Sequence, residues 1–238
     1  MNRFDVTILH FLNQLAGRSP LFDKSISFLS DTPLQGAAII AVLWCLWFRK
    51  DAQLERNRAI ILGGLVTSFV ALFVARGLAD LLPFRERPVW VPSLGLRTPF
   101  GESSQLINWS SFPSDHAVLF FGLATSIFLI SRKIGTLVYL DAFFVICLPR
   151  IYQGTHYPTD ILAGAVLGTG MAALILIKEV REALTHRPLH WLKNSPGQFY
   201  AFLYIASFLF STQFEPVRTA ATAVCKTFKE VSIAHLSH

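Results

Sequence analysis

Charge is what this sequence has least of. Only 15% of its 238 residues are Asp, Glu, Lys or Arg, while 53% are hydrophobic; soluble domains carry roughly 25% charged residues. That scarcity excludes disorder, a collagen repeat, a coiled coil and an ordinary cytosolic enzyme. Cysteine is scarce too. Cys45 and Cys147 lie inside apolar runs and Cys225 stands alone near the C-terminus, so neither a disulfide framework nor a CxxC metal pattern can be drawn. Met1 to Arg18 lacks the basic start, apolar middle and small-residue cleavage site of a signal peptide, so the spans themselves are expected to direct insertion. No internal repeat, low-complexity tract or linker divides the chain. Lys and Arg outnumber Asp and Glu, 21 to 15. The excess falls in short clusters between apolar runs, as in membrane loops, and no nucleic-acid partner is expected.

What is present is a series of stretches free of charge and histidine. Thr32 to Phe48, Ala59 to Ala75, Ala117 to Ser131 and Ile161 to Ile177 are uninterrupted, and Ile134 to Pro149 is broken only by Asp141. Each falls a little short of the roughly 20 residues that cross a hydrocarbon core, a deficit that snorkelling Arg and Lys in the flanks can cover. Phe199 to Ser211 is a weaker sixth candidate that needs Asn194 to Gln198 to reach spanning length. The fold expected is an all-α, polytopic membrane bundle of about six transmembrane helices. Before it, Phe4, Ile8, Phe11, Leu12 and Leu15 share one helical face, the mark of an amphipathic helix in the interface. Val217, Ala221, Val224, Phe228 and Val231 form a similar stripe in the tail.

Loop charge orients the bundle. Arg49, Lys50, Arg56, Arg58, Arg132, Lys133, Lys178, Arg181, Arg187 and Lys193 fall on one face; only Arg85, Arg87, Arg97 and Arg150 fall in the loops of the other. The positive-inside rule makes the first face cytoplasmic. The sparse face, with the long Pro83 to Pro113 loop, then looks outward from a cell (inner) membrane, toward the periplasm or exterior.

Polar groups converge on that outward face. PFRERP carries Arg85 and Arg87; FPSDH carries Ser114, Asp115 and His116; PRIYQGTHYPTD carries Arg150, His156 and Asp160. Arginine forks suit phosphate oxygens bidentately. Pro113 is placed to enter a helix whose first N–H groups form an anion site. Two histidines offer a nucleophile and an acid near neutral pH. Asp160, four residues after His156, can hold one imidazole nitrogen and leave the other free. No carboxylate cluster or Cys/His pair provides a metal site, so arginine must neutralise the charge. The set reads as metal-independent phosphoryl transfer, with no cofactor.

These residues resemble the type 2 phosphatidic acid phosphatases, relatives of bacterial acid phosphatases and vanadium haloperoxidases, whose signatures are Lys-x6-Arg-Pro, Pro-Ser-Gly-His and Ser-Arg-x5-His-x3-Asp. Arg87-Pro88 matches the end of the first, Pro113-Ser114-Asp115-His116 most of the second, and Arg150, His156 and Asp160 the third in type and spacing. The resemblance implies a catalytic membrane domain over residues 34–178, preceded by an interfacial segment at 1–33 and followed by a cytoplasmic loop, last helix and amphipathic tail at 179–238. It implies that His156 attacks phosphorus to form a phosphohistidine and that His116 protonates the leaving oxygen and then activates water. Asp160 would orient His156, while Arg87, Ser114, Asp115 and Arg150 would line the phosphate site.

Three departures stand out. Asp80 occupies the family lysine position; Arg76 or Arg85 could supply the cation, and Arg85, at the mouth of the site, is the stronger choice. Pro149 replaces the serine before Arg150. Asp115 replaces glycine, giving the PSDH form associated with the undecaprenyl-diphosphate phosphatase branch. The expected substrate is therefore undecaprenyl diphosphate. Phosphatidylglycerophosphate, phosphatidic acid and lipid A phosphates, transfer to another lipid, and a non-catalytic lipid-phosphate binder or transporter are the alternatives. Membrane lipids surround the protein and no obligate protein partner is evident.

Blander readings apply elsewhere. His10, His186, His190, His235 and His238 read as polar surface, and Trp44, Trp47, Trp90, Trp109 and Trp191 as interfacial belt residues. Arg76 and Asp80, four apart, read as an intramembrane ion pair. Asp141 is expected to face the bundle, with no partner evident. Gly164, Gly168 and Ala172 form a small face suited to packing helices within the bundle.

Overall fold

The computed structural model describes residues 2–29, 32–100 and 109–214, among which all regular structure is helical. The stripe expected from Val217 to Val231 lies outside them. The helices are α1 (Arg3–Asn13), α2 (Pro20–Leu29), α3 (Thr32–Phe48), α4 (Leu54–Leu81), α5 (Asp115–Ile130), α6 (Arg132–Asp141), α7 (Leu148–Tyr152), α8 (Pro158–Ala173), α9 (Lys178–Asn194) and α10 (Pro196–Ser211). Among the described residues, four helical stretches are long and apolar enough to cross a membrane: Pro20–Phe48, Leu54–Leu81, Arg132–Tyr152 and Pro158–Leu176. α5 is apolar but shorter.

Lipid tails are as apolar as leucine, so burying leucine gains little inside a bilayer and helices associate through close packing of small residues. α5 lies at the centre of such packing, pressed most extensively against α8 and α4. A Cβ on Gly168 would come within 2.1 Å of the Val118 carbonyl oxygen, and one on Gly64 within 2.1 Å of Ser126 Oγ. Gly164 meets the Ser114 carbonyl and Ala117 in the same way, and Ala172 is fully buried. The small face on α8 thus packs within the bundle.

The α10 helix runs antiparallel to α3. Trp47 Nε1 donates to the Tyr200 hydroxyl (3.2 Å) near one end, and Trp44 Nε1 to Ser207 Oγ (3.1 Å) further along. Gly36 meets the Ser211 backbone at the other end. Trp47 is accordingly 1% exposed and stacks on Phe199, which corrects its reading as a belt residue: both partners it needs lie on the neighbouring helix.

Between α6 and α7 the helix widens into a π segment, Ala142–Cys147, with Leu148 N–H bonded to the Phe143 carbonyl. Pro149 accounts for it. Proline lacks an N–H and its ring crowds the carbonyl four residues back, so a wider turn relieves the clash; such bulges often sit at functional sites. The next residue is Arg150.

The amino-terminal helices do more than float in the interface. α1 turns Asp5, Leu9 and Asn13 inward, while Phe4, Phe11 and Leu15 stay exposed. Ile8 and Leu12 of the apolar stripe pack partly against the protein, and the Asp5–Leu9–Asn13 stripe is the fully buried one. Asn13 exchanges hydrogen bonds with the backbone of Arg97 (2.8 Å each). Asp23 on α2 accepts from Tyr152 Oη, Gly17 N and Phe100 N.

Candidate active site

The loop joining α4 to α5 and the loop joining α7 to α8 meet at one end of the bundle. After α4 the chain runs extended, and Ser111 N–H donates to the Arg85 carbonyl (2.8 Å). Arg87 then opens a short 3-10 turn at Pro88, and Val89 N–H donates to the Gly154 carbonyl (2.8 Å). Gly154 sits at φ +69°, where a side chain would be strained and its Cβ would press on Val89. This close approach aligns Arg87 with Thr155 and His156. Arg87 Nη1 donates to the Thr155 carbonyl (2.8 Å) and lies 3.3 Å from His156 Nε2.

His156 is 5% exposed. Its Nδ1 lies 2.8 Å from the Ser111 carbonyl oxygen and 3.7 Å from Asp160 Oδ2. A carbonyl only accepts, so Nδ1 carries the proton and Nε2 presents its lone pair beside Arg87. Burial pushes the imidazole below its ordinary value of 6.5; Arg87 adds to this, while Asp160 and the Ser111 carbonyl oppose it. The side chain is neutral near pH 7. Asp160 Oδ2 caps α8 by accepting from Tyr157 N–H (2.8 Å), while its Oδ1 accepts from Arg85.

Ser114 is the N-cap of α5, its hydroxyl accepting from Ala117 N–H, and its own N–H donates to the Asp160 carbonyl (3.2 Å). Asp115 and His116 follow in the first turn, both half-buried. Arg150 lies within the single turn of α7, its carbonyl accepting from Thr155 N–H (2.9 Å) and Thr155 Oγ1 (2.9 Å). Burial lowers the Arg87 guanidinium from 12.5 to about 10, with Asp115 opposing and Arg76 adding to it. Arg87 remains charged at neutral pH, and Arg76, Arg150, Asp115 and Asp160 all lie within electrostatic reach of it.

Two expectations need correction. Arg85 does not reach into the site mouth as a free cation, because Asp5 (2.7 Å), Thr159 (2.9 Å) and Asp160 occupy its guanidinium. Arg76 does not pair with Asp80: its Nη2 lies 2.7 Å from Asp115 Oδ1 and 3.3 Å from the Pro113 carbonyl. Asp80 is exposed and makes no ion pair among the described residues. The Asp115 carboxylate thus serves Arg76, and only its backbone remains for an anion. Arg76 Nε and Arg87 Nε are buried with no hydrogen-bond partner among the described residues. Asp5, Ser111, Thr155 and Thr159 are the neighbours that sequence reasoning missed. No group of three or more His, Cys, Asp or Glu among the described residues could hold a metal ion.

A family model, the PAP2 superfamily, matches residues 59–182, just over half of the chain. The chain is 25% identical over 191 residues to the bacitracin transport permease protein BcrC of Bacillus licheniformis, covering 79% of this chain and 87% of that protein. It is 24% identical over 189 residues to the putative undecaprenyl-diphosphatase YbjG of Escherichia coli (strain K12), with 79% and 87% covered. In fold it is similar to Aquifex aeolicus LpxE, with a TM-score of 0.52 and 19% identity over 74% of this chain and 96% of that one. Phosphatase-named relatives, apolar spans and loops that gather arginines around a neutral histidine all agree: this multi-pass membrane chain belongs to the PAP2 superfamily.

Proposed function

We propose that the chain hydrolyses a lipid diphosphate on the extracytoplasmic face of the cell membrane, with undecaprenyl diphosphate as the substrate. The observation that carries this reading is the placement of His156: Nδ1 lies 2.8 Å from the Ser111 carbonyl oxygen, which assigns it the proton and leaves Nε2, 3.3 Å from Arg87 Nη1, to attack. Nε2 attacks the terminal phosphorus, and the bond from phosphorus to the bridging oxygen breaks. His116 gives that oxygen its proton, releasing undecaprenyl phosphate and leaving a phosphohistidine. His116 then takes a proton from water, which attacks phosphorus; the N–P bond breaks and inorganic phosphate leaves. Arg87, Arg150 and the N-terminus of α5 at Ser114 and Asp115 stabilise the charge spread over the equatorial oxygens.

Asp80 cannot serve as the third cation. In this reading Arg76 does, held by Asp115 and the Pro113 carbonyl on the segment that bears Ser114 and His116. Arginine charge, with no metal ion, neutralises the phosphates. The undecaprenyl preference is supported by the PSDH form of the second motif and by the name of the YbjG relative.

The test is phosphate release by detergent-purified protein in EDTA. The panel is undecaprenyl diphosphate, phosphatidic acid, phosphatidylglycerophosphate and lipid A, each run beside His156→Ala. Turnover of undecaprenyl diphosphate that disappears in the variant is the expected result. Preference for another lipid reassigns the substrate, and a requirement for added metal overturns the arginine-only mechanism. Binding without turnover would make the chain a lipid-phosphate binder.

A further inference from the structure

Asp5 is 0% exposed, although it belongs to a helix whose neighbouring face is apolar and partly exposed. A buried carboxylate is costly unless it is paired and hydrogen-bonded, so its partners carry information. Oδ1 accepts from Thr159 N–H (2.9 Å); Oδ2 accepts from Thr159 Oγ1 (2.7 Å) and Arg85 Nη2 (2.7 Å). The other arm of the same guanidinium, Nη1, donates to Thr159 Oγ1 (2.9 Å) and to Asp160 Oδ1. The guanidinium also lies 4.1 Å from the centre of the Tyr157 ring. One arginine therefore clamps a carboxylate of α1 to a carboxylate of α8, and the α8 carboxylate is 3.7 Å from His156 Nδ1.

We propose that Asp5 and Arg85 form a positioning clamp for the phosphoryl-transfer site, making α1 part of the catalytic assembly. The inference rests on the reading of His156 as nucleophile. Arg85 offsets the negative charge of Asp160, so the imidazole keeps its bond to the Ser111 carbonyl instead of turning to the carboxylate. Asp5 holds Arg85 in that place and, through Thr159, fixes the first turn of α8. Neither side chain touches the phosphate. The charged groups that act on His156 and Arg87 are Arg76 on α4, Asp115 on α5, Arg150 on α7 and Asp160 on α8. Asp5 and Arg85 act on them through Asp160.

The test uses full-length protein in detergent and whichever panel lipid the wild type hydrolyses fastest. Asp5→Asn should lower kcat about tenfold while KM stays within about twofold, because positioning is lost and binding is not. Arg85→Gln leaves two buried carboxylates uncompensated, so the acid limb of kcat/KM should move up by about one pH unit. Adding Asp5→Asn to Arg85→Gln removes one of those charges and should bring the limb part of the way back. A purely structural contact predicts instead less folded protein with an unmoved limb. If Asp5→Asn does not fold, Thr159→Ala removes the hydroxyl that Asp5 and Arg85 share and reads the same kcat loss. Unchanged kcat in Asp5→Asn, or a fixed limb in Arg85→Gln, overturns the clamp while His156→Ala remains inactive. Activity that survives His156→Ala overturns the nucleophile assignment itself, which is a separate result.

Discussion

The Ser111 carbonyl and the His156 imidazole, 45 residues apart, meet at 2.8 Å. A peptide oxygen, which no side-chain substitution can remove, fixes which nitrogen of the candidate nucleophile bears the proton. Burial keeps that imidazole neutral, and the pH dependence follows. Attack requires the neutral ring, whose pKa lies below 6.5. The acid midpoint of activity should therefore lie below pH 6.5, with more than half of the plateau rate kept at pH 6.5. A pH profile of kcat/KM for phosphate release checks this, and an acid midpoint at or above 6.5 contradicts it. Stability carries the same sign: as pH drops below about 6.5 the unfolded chain takes up a proton that the folded one refuses, so folding weakens toward acid.

Arg87 holds the Thr155 carbonyl with the same nitrogen that faces His156 Nε2. Lysine has a single flexible ammonium and loses its charge more readily when buried. Arg87→Lys should lower kcat by about 100-fold at neutral pH with little change in melting temperature. Steady-state phosphate release beside a thermal melt measures both. A variant within threefold of wild type would show that the planar fork is not needed.

Arg76 reaches the site segment through Asp115. If it is the third phosphate cation, Arg76→Ala should cut kcat by about 100-fold, whereas Asp80→Ala, on an exposed position of the same helix, should be silent. The opposite ranking would return the cationic role to another residue.

The α5–α8 contact makes a prediction about stability alone. Gly168→Ala drives a methyl group against the Val118 carbonyl oxygen, and should destabilise by about 1–3 kcal/mol or more. Gly170→Ala, on the same helix with nothing within 4 Å of its Cβ, should be neutral or gain up to about 1 kcal/mol from helix propensity. Melting temperatures in one detergent compare the two.

Arg150, His156 and Asp160 could be read together in the sequence because consecutive local turns carry them: α7, the turn at Gly154 and the first turn of α8. The apolar runs foretold most helices for an equally local reason. Asp5 was not legible, since its partners lie 80 and 154 residues away and its helix was read by its apolar stripe. Only Phe4, Phe11 and Leu15 of that stripe are exposed, and the fully buried face is the adjacent one. Ser111 contributes a carbonyl, which every residue type possesses. Arg76 was visible, but pairing it by sequence proximity chose Asp80 over Asp115, because helical spacing says nothing of what a neighbouring helix presents. The π segment before Arg150 had a signal in Pro149, whose structural cost was not converted into geometry.

The glycine contacts that draw α4, α5 and α8 together leave no space between them for a methyl group, and so none for a hydrocarbon chain. On the proposed function, a lipid whose headgroup meets these arginines cannot thread its tail through those contacts. In that reading the tail stays on the lipid side of those contacts, and the site reads the charge and shape of the head. Encounter becomes a matter of two-dimensional diffusion, so the surface density of headgroups in the leaflet, more than bulk lipid concentration, sets how often the site is filled.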